Sequence, residues 1–220
     1  MSGIIAFVPV RGGSKSIPRK NIKEFCGKPL VYWVLDALEK TKLVDEVIVA
    51  TDSYEIRKTV EEFEFSKVVI YNRMAQNAND TASTESVMLE YIESKNLSND
   101  TIFLLVQATS PFTRALHFSE AIVQFQTENA DSLLSCTVSK RFLWNKTGNS
   151  INYDYKRRPR RQEFDGHFVE NGAFYISRLK NIISNMNRLS GNISIYEMPT
   201  FTEFELDEEY DWIVAEKLME

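Results

Sequence analysis

The sequence predicts an α/β protein with a mainly parallel sheet covered by helices on both faces. Three observations carry this expectation. Short, continuous apolar runs recur along the chain, segments of helical period lie between them, and this order gives way to polar, irregular sequence only after Ser139. Strands that are apolar throughout, rather than alternating, belong to a sheet buried on both faces. Their alternation with helices is the mark of βα units. With 220 residues, 43% of them hydrophobic, the chain can bury one sizeable core, so residues 1–220 read as a single domain.

The elements follow in order. Ile4 to Val10 reads as a short buried strand; it lacks a basic leader and a small-residue cleavage site, which argues against a signal peptide. Pro29 to Lys40 is amphipathic, with Leu30, Trp33, Val34, Ala37 and Leu38 on one face and Pro29 suited to a first helical turn. Strands follow at Glu46 to Thr51, Val68 to Tyr71, Ile102 to Val106 and Leu133 to Val138, with helices at Tyr54 to Phe63, Ser83 to Lys95 and Ala115 to Gln126. Ser53 is placed to cap the first of these three helices. Residues 140–165 are polar, aromatic and basic with poor periodicity, and read as an excursion inserted into the sheet. Strand returns at Phe168 to Ser177, helix at Leu179 to Met186 and strand at Ile193 to Met198. Glu209 to Leu218 closes the chain as a helix expected to turn Ile213, Val214 and Leu218 inward.

Composition removes several classes. A formal net charge of -5 argues against general nucleic-acid or anionic-membrane binding, so an anion site must be a local basic cluster. Cys26 and Cys136 stand in separate segments with no CxxC, and the only histidines are His117 and His167; buried reduced thiols are expected and a zinc site is not. No apolar run approaches membrane-spanning length, and a soluble cytoplasmic protein is expected.

Five stretches carry candidate chemistry. Directly after the first strand, Gly12 and Gly13 free the backbone to approach a ligand, and Arg11, Lys15, Arg19 and Lys20 supply cations suited to a triphosphate. The spacing fits neither GxxxxGK[ST] nor GxGxxG. Asp80-Thr81-Ala82-Ser83-Thr84 precedes a helix: capping by Ser83 or Thr84 and a role in holding a base or sugar are both open. Gln107 to Phe112 ends the fourth apolar strand, where parallel sheets place their ligands, although Ser110-Pro111 also suits a plain turn. Arg157 to Gln162 is a basic run among Tyr153, Tyr155 and Phe164; a solvated face and a carboxylate or phosphate site are both open. In Glu203-Phe204-Glu205-Leu206-Asp207, extended alternation puts the carboxylates on one face and Phe204 and Leu206 on the other. That face suits either an exposed acidic edge or magnesium.

Together these residues resemble the N-acylneuraminate cytidylyltransferases, the CMP-sialic acid synthetases. Arg11 to Asn21 is similar to the family's R-x-x-S-K-x-x-P-x-K-N loop. Thr51-Asp52-Ser53, Asp80 to Ser83 and Gln107 to Phe112 are similar to its TD-S, DTAS and Q-x-TSP motifs. Arg158 to Gly166 with Glu170 to Tyr175 is the most specific match. The resemblance implies a Rossmann-like three-layer α/β/α fold and a homodimer in which the 140–165 excursion completes the partner's site. It implies transfer of CMP from CTP to a free nonulosonic acid with release of pyrophosphate. Arg11, Gly12, Gly13, Ser14, Lys15, Lys20, Asn21, Ala82 and Ser83 would hold the nucleotide, and Gln107, Arg161, Phe174 and Tyr175 the sugar. Arg11, Lys15, Lys20 and Asp207 would carry the catalysis, and Glu205 with Asp207 would bind magnesium or manganese. The family usually has Asp-x-Asp where this chain has Glu205-Leu206-Asp207. A cytidylyltransferase for another acidic sugar, such as a keto-deoxy octonic acid, and a non-catalytic nucleotide-sugar binder are the alternative readings.

Overall fold

The computed structural model describes residues 3–13, 17–77, 82–204, 206 and 208–219. Its elements run β1 (Ile4–Pro9), β2 (Glu24–Phe25), β3 (Lys28–Pro29), α1 (Leu30–Glu39), β4 (Glu46–Thr51), α2 (Tyr54–Glu61) and β5 (Val68–Asn72). There follow α3 (Thr84–Ser94), β6 (Ile102–Val106), α4 (Ala115–Thr127), β7 (Ser132–Ser139), β8 (His167–Arg178), α5 (Leu179–Asn185), β9 (Ile193–Glu197) and α6 (Glu209–Met219). A seven-stranded sheet has the order β5-β4-β1-β6-β8-β7-β9. It is parallel from β5 to β6 and again between β7 and β9, and β8 runs antiparallel to both its neighbours.

Strand alternation divides the core into two faces. Ala6, Val8, Val47, Val49, Leu104 and Val106 meet α1, α2 and α4 on one side. Ile5, Phe7, Ile48, Phe103 and Leu105 meet α3 and α5 on the other. The fold is therefore three-layered and Rossmann-like. No helix among the described residues is long and apolar enough to cross a membrane.

The β2–β3 hairpin turns through Cys26 at φ 49° and Gly27 at φ 77°, the double positive φ of a tight hairpin turn. Cys26 is only half-buried, contrary to expectation, whereas Cys136 is buried and its thiol is pushed up to about 11 by desolvation; neither forms a disulfide.

The inward face of α6 also departs from expectation. Trp212 and Ala215 are buried, and Ile213, Val214 and Leu218 are exposed. The helix packs on the β2–β3 hairpin rather than on the large sheet: the Trp212 indole donates to the Glu24 carbonyl at 3.0 Å and meets Phe25 edge-on at 5.5 Å. Apolar residues on every side of α6 leave periodicity unable to choose the face; the hydrogen-bonding indole chooses it. Leu206 is buried in the same cluster and Phe204 packs against it, but Glu203 closes a 3-10 turn, so the extended alternation does not reach it.

The excursion leaves the sheet at Ser139 and returns at Gly166, whose φ is 85° and where a Cβ would lie 2.6 Å from the Ser139 carbonyl oxygen. Only glycine closes this neck. Between these points the aromatics pack on one another: Phe142 lies 4.4 Å from Tyr153 and 5.1 Å from Phe164, with the Arg158 guanidinium 4.6 Å over its ring.

Candidate active site

A cleft of about 190 Å³ opens at the carboxyl ends of β1 and β6, where an open parallel sheet places its ligands. Its walls include Arg11 and Asn21 from the first loop, Ala82 and Ser83 at the start of α3, and Gln107 and Thr109 after β6. Residues separated by up to about a hundred positions thus converge on one concavity. The first loop is braced from behind. The Gly12 amide donates to Asp52 Oδ1 at 3.1 Å, Ser53 N donates to Thr51 Oγ1 at 3.1 Å, and the Asn21 amide donates to the Arg11 carbonyl at 3.1 Å.

This geometry revises the role of Gly12. A Cβ there would meet Ser53 Cβ at 2.9 Å, so glycine admits the close approach of the loop to the β4–α2 turn. Its amide is committed to Asp52 rather than to an anion nest. Ser83 caps α3, accepting from Ser86 N at 3.1 Å, while also lining the cleft. Lys20 is buried and is not part of the cleft wall among the described residues; Gly13 is exposed. Arg19, with φ 55°, forms an ion pair with Glu55 at 2.9 Å. Ser14, Lys15, Glu205 and Asp207 lie outside the described residues, as do Asp80 and Thr81. Among the described residues no group of three or more His, Cys, Asp or Glu could hold a metal ion.

Sequence reasoning missed Arg73, which lines the cleft immediately after β5. Its Nε donates to the Ala50 carbonyl at 3.0 Å and its amide to the Thr51 carbonyl at 3.2 Å. Burial pulls its pKa down, the Asp52 and Glu90 carboxylates push it back up, and Arg11 pulls it down again. Two arginines facing one cavity suit an anionic ligand. The signal in the sequence was only position: a cation at the carboxyl end of an apolar strand.

The other proposed sugar contacts separate. Phe174 and Tyr175 are neighbours on a strand and face opposite sides of the sheet. Phe174 is fully buried against Phe118 and Tyr196, so it is a core side chain and does not line the cleft. Tyr175 is buried on the α3 side, where its hydroxyl donates to Glu170 and the Arg188 guanidinium lies 4.8 Å over its ring. Burial, then Glu170, raises its pKa. Asn171 braces the irregular β7–β8 pairing: it accepts from Ser135 Oγ at 2.7 Å and its amide donates to Thr202 Oγ1 at 3.1 Å. Arg161 lines a different cleft of about 420 Å³, with Lys140, Arg141, Glu197 and Glu203.

A larger cleft of about 570 Å³ between α1, α4 and α6 contains none of the proposed site residues. Thr113, on its wall, has a hydroxyl shut off from solvent and without a hydrogen-bond partner. His117 caps α4, accepting from Arg114 N at 3.2 Å, and burial lowers its pKa. That makes it a structural neutral imidazole.

An open parallel sheet with a cationic cleft over its strand ends is the architecture of nucleotide-handling α/β proteins. Within that class the chain belongs to the cytidylyltransferase family, whose model matches residues 5–219. It is 33% identical over 219 residues to N-acylneuraminate cytidylyltransferase B of Danio rerio, covering 96% of this chain and 50% of that protein. It is 34% identical over 221 residues to N-acylneuraminate cytidylyltransferase of Oncorhynchus mykiss, covering 97% of this chain and 50% of that protein. The chain thus spans about half the length of these curated relatives. Its fold is similar to a CMP:2-keto-3-deoxy-manno-octonic acid synthetase solved in complex with CTP, with a TM-score of 0.70 and 19% identity over 99% of this chain and 98% of that one.

Proposed function

We propose that this protein transfers CMP from CTP to the anomeric hydroxyl of a free, sialic-acid-like nonulosonic acid. The observation that carries the reading is the convergence of Arg11, Asn21, Arg73, Ala82, Ser83 and Gln107 on one cleft at the sheet's carboxyl edge. The sugar oxygen attacks the α-phosphorus in line, the bond from that phosphorus to the bridging oxygen breaks, and pyrophosphate leaves with the electron pair. The hydroxyl proton passes to solvent water. Such chemistry needs positioning and charge neutralisation more than covalent catalysis. Arg11, Arg73, Lys15 and Lys20 would neutralise the phosphates, and Gly13, Ser14 and Asn21 would shape the loop around them. Ala82 and Ser83 would bound the nucleoside, and Gln107 would face the sugar.

Glu205 and Asp207 would hold a magnesium ion, since paired carboxylate oxygens suit a hard cation that also binds phosphate. Leu206 between them is buried. Bound there, the metal supplies charge neutralisation at the phosphates.

The protein would act as a homodimer. Arg161, whose fork of donors matches a sugar carboxylate, lines a cleft separate from the nucleotide cleft of its own chain. A two-fold partner would bring the excursion, and with it Arg161, to the neighbouring site.

Pyrophosphate release from CTP with N-acetylneuraminic, legionaminic, pseudaminic and keto-deoxy octonic acids tests this. Release with one or more nine-carbon acids is expected. Release with the octonic acid alone moves the substrate class, and binding without release with any acid makes the chain a non-catalytic binder.

A further inference from the structure

Glu90 is a buried carboxylate in the middle of α3, outside the cleft and outside every motif. Its Oε1 accepts from the Tyr71 hydroxyl at 3.0 Å and from Met74 N at 2.8 Å, and its Oε2 accepts from the Asn77 amide at 2.6 Å. All three donors belong to β5 and the segment directly after it, and that segment carries Arg73. Burying a carboxylate is costly unless its oxygens are bonded, and an apolar residue would serve the core at least as well. Apolar neighbours Val87, Met88 and Tyr91 already pack α3 to the sheet. The carboxylate is therefore there for the segment it holds, whose residues Asn72, Met74 and Gln76 are exposed and contribute little burial of their own.

We infer that Glu90 is a positioning residue for Arg73: it fixes the β5 exit segment so that the Arg73 guanidinium is held at the nucleotide cleft before ligand arrives. Two anchors act on that segment. The Ala50 and Thr51 carbonyls hold Arg73 from the sheet side, and Glu90 holds Met74 and Asn77 from the helix side. Glu90 also opposes the desolvation of the arginine through its charge. Pre-organisation of this kind raises affinity by removing the ordering cost of binding. The inference rests on the reading of the cleft as the CTP site.

The test is a double-mutant cycle read by calorimetric titration of CTP, with KM, kcat and melting temperature alongside. Glu90→Gln keeps the shape but places an amide donor against donors. It is expected to weaken CTP binding about tenfold, the scale of a lost charge-assisted hydrogen bond, with KM rising and kcat within about twofold. In an Arg73→Ala background the same change should weaken binding less than about twofold, because the group it positions is gone. Asn77→Ala, which removes the donor to Oε2 along with a longer bond to the Ser86 carbonyl at 3.4 Å, runs the same cycle if Glu90→Gln does not fold, with a loss of about threefold expected. Equal losses with and without Arg73, or no loss in the wild-type background, overturn the inference and leave the functional reading standing. A wild-type protein that binds no CTP overturns both.

Discussion

The two halves of the sheet are built on different terms. From β1 to α4 the chain is a run of parallel strands, apolar end to end except at the β5 edge and covered by helices on both sides. Every described wall of the cleft at the carboxyl ends of β1 and β6 comes from this half. From β7 onward the direction of pairing reverses at β8, an excursion leaves the sheet, and large apolar side chains stand in solvent: Trp144, Ile151, Tyr155, Phe168, Phe201, Tyr210 and Val214. Isolated exposed hydrophobics mean little, but the second half carries more of them than the first. The first half shares its core with β8, α5 and α6 but supplies the described walls of the cleft by itself. The second carries Arg161 on a segment whose aromatics pack on one another.

Subunit mixing attacks that contrast most directly. Lys20→Ala and Arg161→Ala should each lower turnover by about a hundredfold or more, as removal of a charge-stabilising donor does. Lys20 is buried, so a melting curve must show that the variant still folds. If the second half completes a partner's site, equal mixing with full exchange leaves one site of each mixed dimer wild type, and about a quarter of wild-type turnover returns. A monomer by light scattering, or no recovery after proven exchange, would show that both halves serve their own chain. Excess chelator should likewise abolish turnover, with Asp207→Asn more harmful than Glu205→Asp; full activity in chelator removes the metal from the reading.

A smaller effect sharpens the boundary between core and cleft. Phe174→Ala should cost about 3–5 kcal/mol by calorimetric unfolding, the range for deleting a buried aromatic. Gln107→Ala should shift stability by less than about 0.5 kcal/mol and raise KM for the sugar. A Phe174→Ala protein that melts normally but binds sugar poorly would return that residue to the pocket.

The same contrast explains what the sequence made legible. The ends of the main helices and of β6 were readable to within a residue or two because apolar periodicity is set by burial, and β1, β4 and β6 are buried almost end to end. The convergence of the first loop, the α3 cap and the β6 exit followed from topology, since all three sit at carboxyl ends of parallel strands. The β2–β3 hairpin was hidden because two-residue strands have no period to detect; only Cys26-Gly27 hinted at the turn. Phe174 misled because motif neighbours in sequence become opposite faces in a strand. Arg73 and Glu90 stayed invisible because a loop arginine and a helix glutamate read as solvated charges, and their burial is a property of tertiary packing alone.

A milder effect than that of Phe174→Ala lies where the halves join. Arg188, from the α5–β9 connection of the second half, donates through Nε to Glu85 in the first turn of α3 at 2.5 Å, with both side chains about four-fifths buried. That hydrogen bond is the main reason the Glu85 carboxyl sits below the usual carboxylate range. A carboxyl whose folded pKa is depressed gives up its proton more readily in the folded state than in the unfolded chain. Its contribution is thus fully present above the ordinary glutamate range, near about pH 4.3, and is lost as pH falls through that range toward the folded pKa. Glu39 shares this limb: burial pushes its pKa up, but donors from Ser66 and Lys67 leave it lowered. Glu85→Gln should therefore flatten the acid limb of stability only in part. The two proteins should differ by about 1 kcal/mol at neutral pH, between an exposed ion pair and a buried charged hydrogen bond, and converge at low pH. Denaturant unfolding at a series of pH values measures this. Parallel stability curves for wild type and Glu85→Gln would mean that the joint between the halves owes nothing to this pair's charge.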